Sequence, residues 1–98
     1  MSERILVIDD EATIRMSLVE ALAADGYEVE DAETGEEALA RCHGDQFDLL
    51  VTDLKLPGIS GLEVLEALRN QNRDLPVILM TAYGEVDTAV AAMRDRKS

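Results

Sequence analysis

Three aspartates are the residues of this chain best suited to do chemistry. Asp9 and Asp10 close the apolar run Ile5-Leu6-Val7-Ile8, and Asp53 closes Leu49-Leu50-Val51-Thr52. A third run, Val77-Ile78-Leu79-Met80, ends in the hydroxyl of Thr81. Carboxylates crowded together at neutral pH repel one another unless a cation sits among them or their pKa values rise. Mg2+ takes oxygen ligands and keeps waters and phosphate oxygens beside a few carboxylates. The implied chemistry is a divalent metal holding a phosphoryl group near one of these acids.

For that chemistry the acids must converge, and the surrounding pattern supplies the means. Short apolar runs alternate with amphipathic stretches, which predicts a βα repeat around a parallel sheet. In such open sheets ligands bind outside the carboxyl ends of the strands, where strand order reverses. The first strand is expected over Arg4 to Asp9. A helix over Ala12 to Asp25 follows, with Ile14, Leu18, Ala21 and Leu22 at helical spacing and Gly26 as its stop. Tyr27 to Ala32 alternates like an exposed edge strand, and Thr34 with Glu37 fits a capping box for a short helix to His43. Phe47 to Asp53 is nearly continuous in apolar residues, as a strand covered on both faces should be. Leu54 to Ser60, with Pro57 and Gly58, must be a loop. Gly61 to Gln71 is then helical, burying Leu62, Leu65 and Leu68. Pro76 opens the fourth strand, Thr81 to Val86 forms a loop, and Asp87 caps a helix to about Arg96.

Composition narrows the functions. The 98 residues suit one small domain with one core. A net charge of −12 argues against nucleic-acid binding through this domain, because phosphate neutralisation needs clustered Lys and Arg. The first apolar run is too short for a secretory signal, and no segment approaches the roughly 20 apolar residues that span a bilayer. A single cysteine, Cys42, permits no internal disulfide and fits a cytoplasmic setting. Cys42 and His43 are adjacent, so on a helix they face different ways and cannot grip one metal. The acidic run Glu28, Glu30, Asp31, Glu33, Glu36, Glu37 is expected to be a solvated face, and Met80 and Met93 are expected to fill core.

With these elements placed, the chain resembles the receiver domain of bacterial two-component response regulators from Arg4 to Met93. The motifs are Asp9-Asp10, the segment Val51-Thr52-Asp53-Leu54-Lys55-Leu56-Pro57-Gly58-Ile59-Ser60-Gly61, and Met80-Thr81-Ala82-Tyr83-Gly84. The last two are worded most like receivers of sigma-54-dependent activators. The resemblance implies an α/β, doubly wound, flavodoxin-like parallel sheet. It implies that Asp53 accepts a phosphoryl group from a sensor histidine kinase, for delivery of a signal to an output domain or downstream protein. Mg2+ (or Mn2+) would be held by Asp10, Asp53 and the backbone carbonyl of Lys55, with Asp9 acting through a metal-bound water. Thr81 would sense the phosphoryl group, and Ala82 would keep its approach open. The family also carries a lysine and an aromatic residue on a fifth strand, and neither position exists here. Residues 1–98 are therefore expected to be one receiver domain lacking the fifth strand and helix, with phosphorylation impaired. Its fourth strand, and the stripe Ile14, Leu18 and Leu22, would be partly uncovered and favour a homo-oligomer.

Plainer readings compete. Asp10 alone reads as a cap for the first helix, Asp53 as a loop acid, and Thr81 as a strand-end residue bonding its own backbone. Convergence of the acids on one sheet edge favours the metal site over these. A receiver-like interaction module without phosphorylation is a second functional reading. A haloacid-dehalogenase-type phosphatase is a third, disfavoured because its general acid would fall at Lys55, which cannot serve as one.

Overall fold

A computed structural model of the chain describes residues 3–44, 46–53, 56–71 and 75–80. Its elements run β1 (Arg4–Ile8), α1 (Ala12–Ala24), β2 (Glu28–Ala32), α2 (Gly35–Gly44), β3 (Leu49–Asp53), α3 (Gly61–Asn70) and β4 (Val77–Met80). All strand pairs are parallel, in the order β2-β1-β3-β4. The expected doubly wound sheet is thus present, each strand within a residue or two of its predicted limits. The expected loop from Thr81 and the helix capped by Asp87 lie outside the described residues, as does Met93.

Alternation along the strands divides the core between two faces. Ile5, Val7, Leu49 and Val51 pack with Leu18 and Leu22 of α1 on one side. Leu6, Ile8 and Leu50 pack with Ala38 and Cys42 of α2, and with Val64 and Leu68 of α3, on the other. β1 and β3 are buried along almost their whole length, which accounts for their continuous apolar sequence.

Local signals fix where the helices start and stop. α1 ends in a Schellman motif: Tyr27 N–H bonds the Leu22 carbonyl at 3.3 Å and Gly26 N–H bonds Ala23 at 3.0 Å. Gly26 occupies the left-handed region at φ 97° that this motif requires. α2 opens with the Thr34 hydroxyl accepting the Glu37 N–H at 3.1 Å. The return bond of the expected capping box goes instead from the Glu33 N–H to Glu37, at 3.0 Å. α3 begins with a complete capping box between Ser60 and Glu63.

Three expectations need correction. α3 buries Gly61, Val64 and Leu68, whereas Leu62 is 46% exposed. The Ser60 cap and the approach of Val64 and Ile59 to Gly35 rotate the helix so that Leu62 faces out. On α1, Leu18 and Leu22 are fully buried and only Ile14 is half-buried, so of the stripe expected to be partly uncovered Ile14 alone is. The acidic run is also not merely solvated. Glu30 lies between Arg4 and Arg41, Asp31 and Glu33 pair with Arg15, and Glu37 pairs with Arg41. Such partly exposed pairs are worth only about 0–1 kcal/mol each; they organise the edge strand more than they stabilise the fold.

Candidate metal centre

Register delivers the acids to one place. Ile8 is paired with Thr52 between β1 and β3, and with Ala32 on the other side, between β1 and β2. The next residues, Asp9 and Asp53, therefore leave the sheet side by side. β1 and β3 flank the point where the chain turns from one direction of strand addition to the other, the usual ligand crevice of such a sheet. One carboxylate oxygen from each of Asp9, Asp10 and Asp53 lies within 4.8 Å of the others. The three sequence-predicted acids are thus brought together.

Their environments differ. Asp9 is buried, Asp53 is half-buried and Asp10 is exposed, so the cluster opens to solvent on the Asp10 side. The Asp9 carboxylate accepts the Glu11 N–H at 2.8 Å, and the Asp9 N–H extends the β1–β2 pairing to the Ala32 carbonyl at 3.1 Å. Burial is the largest influence on the Asp9 carboxyl and pushes its pKa up; the Glu11 N–H works against the rise, while the charges of Asp53, Asp10 and Glu11 add to it. Asp10 does not cap α1: the cap position is Glu11, with no side-chain capping bond.

The donor set fits a hard divalent ion. It is all oxygen, gathered from carboxylates, and one member is destabilised as an anion in a way that a cation would relieve. Cys42 and His43 do not contribute, since Cys42 is buried on α2 and His43 is exposed. Lys55, Thr81 and Ala82 lie outside the described residues. β4 pairs Met80 with Asp53, which sets the C-terminal end of that strand beside the acid. Past β3, Gly58 sits at φ 76°, and a side chain there would strike the Glu36 carboxylate. The loop is therefore folded back against the start of α2.

Two further residues make bonds close to the acids, and the second lies outside the motifs. The Thr52 hydroxyl donates to the Asp53 carbonyl at 3.1 Å, within the peptide that leads out of the sheet. Arg15 is buried on α1 and bonds the Asp9 carbonyl, Asp31 and Glu33. Its sequence signal was position: a base three residues before Leu18 and seven before Leu22, on the apolar face.

Comparison with known proteins agrees with this geometry. Residues 5–97 match the response regulator receiver domain family. The response regulator MprA of Mycobacterium tuberculosis is 44% identical over 93 residues, which cover 95% of this chain and 40% of that protein. The chain thus spans about 40% of the length of such curated relatives. The response regulator TrrA of Thermotoga maritima, solved in complex with Mg2+–BeF, superposes with a TM-score of 0.78 at 44% identity, over 93% of this chain and 79% of that one. TrrA in complex with the histidine kinase ThkA gives 0.77 at 49% identity, over 84% and 71%. These relatives lend no support to the expected kinship with sigma-54-dependent activators.

Proposed function

The chain belongs to the response regulator receiver domain family, and on that premise we propose that Asp53 accepts a phosphoryl group from a sensor histidine kinase. The observation that carries this is the approach of the Asp9, Asp10 and Asp53 carboxylates to within 4.8 Å at the sheet's C-terminal edge. Asp53 is half-buried: accessible enough to meet a donor, and backed by β3 so that its position is fixed. A carboxylate oxygen of Asp53 attacks phosphorus, the new O–P bond forms as the donor's P–N bond breaks, and the electron pair leaves on the imidazole nitrogen. The product is an acyl phosphate on Asp53.

Asp9, Asp10 and Asp53 would hold Mg2+ (or Mn2+), with the backbone carbonyl of Lys55 as a further oxygen. Bound there, the ion would neutralise charge on the phosphoryl oxygens. Thr81 follows Met80, the register partner of Asp53, and would donate its hydroxyl to the phosphoryl group; Ala82 beside it would leave that approach open. The kinase partner is supported by the complex solved for TrrA, and an output domain or downstream target by the greater length of the MprA relatives. The β4 edge, which pairs with β3 alone among the described residues, is the surface proposed for self-association. No helix among the described residues is long and apolar enough to cross a membrane, and a single cysteine, Cys42, accords with a cytoplasmic setting.

The test is intact-mass spectrometry after acetyl phosphate is added with Mg2+ or with EDTA. One phosphoryl mass gained with Mg2+, and lost with EDTA or in Asp53→Asn, supports the proposal. A folded protein that gains none with Mg2+ sinks it and leaves the interaction-module reading.

A further inference from the structure

Arg15 is a cation that the transfer chemistry does not use, yet it is 8% exposed in a chain with 9 basic and 21 acidic residues. Burying a charge is costly unless it is paired and fully hydrogen-bonded. Its Nε donates to Asp31 at 2.9 Å and its Nη2 reaches Glu33 at 3.5 Å, but those acid side chains are 44% and 69% exposed. Pairs of that kind form as readily at the surface, so they do not explain the burial. The remaining bond is the buried one: Nη1 donates to the backbone carbonyl of Asp9 at 2.8 Å.

That carbonyl belongs to the peptide unit that also contains the Asp10 amide, and the unit is planar. Fixing its oxygen fixes the direction in which Asp10 leaves β1. The Asp9 N–H is already held by Ala32, and its carboxylate by the Glu11 N–H. Arg15 completes the set: the N–H, one carboxylate oxygen and the carbonyl of Asp9 are all held, and the carbonyl bond restrains its peptide with Asp10. The guanidinium suits this because its planar fork bonds three acceptors at once, the Asp9 carbonyl after β1 and the Asp31 and Glu33 carboxylates at the end of β2, which an ammonium cannot reproduce.

We infer that Arg15 is a positioning residue for the metal centre, setting divalent-cation affinity through the Asp9–Asp10 peptide rather than through its charge. The inference rests on the proposed metal site. It is separable from simple electrostatics by sign. Removing a positive charge beside an acidic cluster should tighten cation binding, whereas releasing the Asp9 carbonyl should weaken it. Loss of a hydrogen bond that orients a metal ligand typically costs about 10–100-fold in affinity.

The experiment is Mn2+ titration followed by the electron paramagnetic resonance of the free ion, on protein shown to be folded by circular dichroism. The samples are wild type, Arg15→Met, Arg15→Lys and the double variant Asp31→Asn, Glu33→Gln. Expected are wild-type binding, a loss of about tenfold or more in both Arg15 variants, and near wild-type affinity in the double variant, which keeps the carbonyl bond. Arg15→Lys carries the test if Arg15→Met fails to fold. Wild-type affinity in Arg15→Lys, or tighter binding in Arg15→Met, overturns the inference. A wild type that takes up no Mn2+ overturns the metal site itself, and the role of Arg15 falls with it.

Discussion

Ile8 and Thr52 are register partners across the two central strands. Because that pairing is internal to the sheet, the adjacency of Asp9 and Asp53 is fixed by backbone hydrogen bonds and by the two packed faces, not by a loop. A slip of one residue would turn every core side chain of β1 to the opposite face. The site therefore inherits the rigidity of the core, and of its three acids Asp10 is the one exposed to solvent.

The raised pKa of Asp9 gives a pH dependence whose sign can be stated. A carboxyl with a folded-state pKa above its unfolded value binds its proton more tightly when folded. Its favourable contribution is complete below the ordinary carboxylate pKa and is lost as pH rises through the raised value. Without divalent metal, wild type should lose stability relative to Asp9→Asn across that interval, and Mg2+ should shrink the difference. Thermal midpoints against pH, in EDTA and in Mg2+, measure it. Parallel curves for the two proteins in EDTA would contradict it.

Asp10 should separate binding from stability. It is exposed and does not cap α1, so Asp10→Ala is expected to change stability by no more than about 0.5 kcal/mol. Mn2+ affinity should nevertheless fall by at least about tenfold, as an oxygen donor is lost. Chemical denaturation and Mn2+ titration on the same sample report both quantities.

The two leucines of α3 offer a direct check of its rotation. Leu68 is 1% exposed and Leu62 is 46% exposed. Leu68→Ala should cost about 2–5 kcal/mol, and Leu62→Ala should stay within about 0.5 kcal/mol. Urea denaturation of both variants should show this contrast; equal losses would mean that the helix is turned as its leucine spacing alone predicts.

Gly26 isolates the cost of a backbone conformation. At φ 97° with nothing within 4 Å of an added Cβ, Gly26→Ala meets strain but no clash. A loss of about 1–2 kcal/mol is expected, readable as a lower denaturation midpoint with unchanged slope.

Much of this was legible in the sequence because the decisive signals are local. Apolar runs ending in acids marked both the strands and the edge on which the site forms, and Gly26 and Thr34 marked helix limits. The misses depend mainly on contacts between segments distant in sequence. Periodicity put Leu62, Leu65 and Leu68 on one stripe, but the rotation of α3 is set by Ser60 at its start and by the approach of Val64 to Gly35. Composition showed that Glu30 and Asp31 are acidic, but not that Arg4, Arg41 and Arg15 reach them. Arg15 stands at helical spacing from Leu18 and Leu22, but no motif singles it out, and its bond to Asp9 emerges only once α1 is docked on β1.

The most direct measurement is chemical mapping of the phosphorylated residue. Protein treated with acetyl phosphate and Mg2+ is reduced with borohydride, which converts an aspartyl phosphate to homoserine, then digested and sequenced by mass spectrometry. Homoserine is expected at position 53, with Asp9 and Asp10 unchanged. Homoserine at position 9 or 10, or at no position in a folded sample, would contradict it.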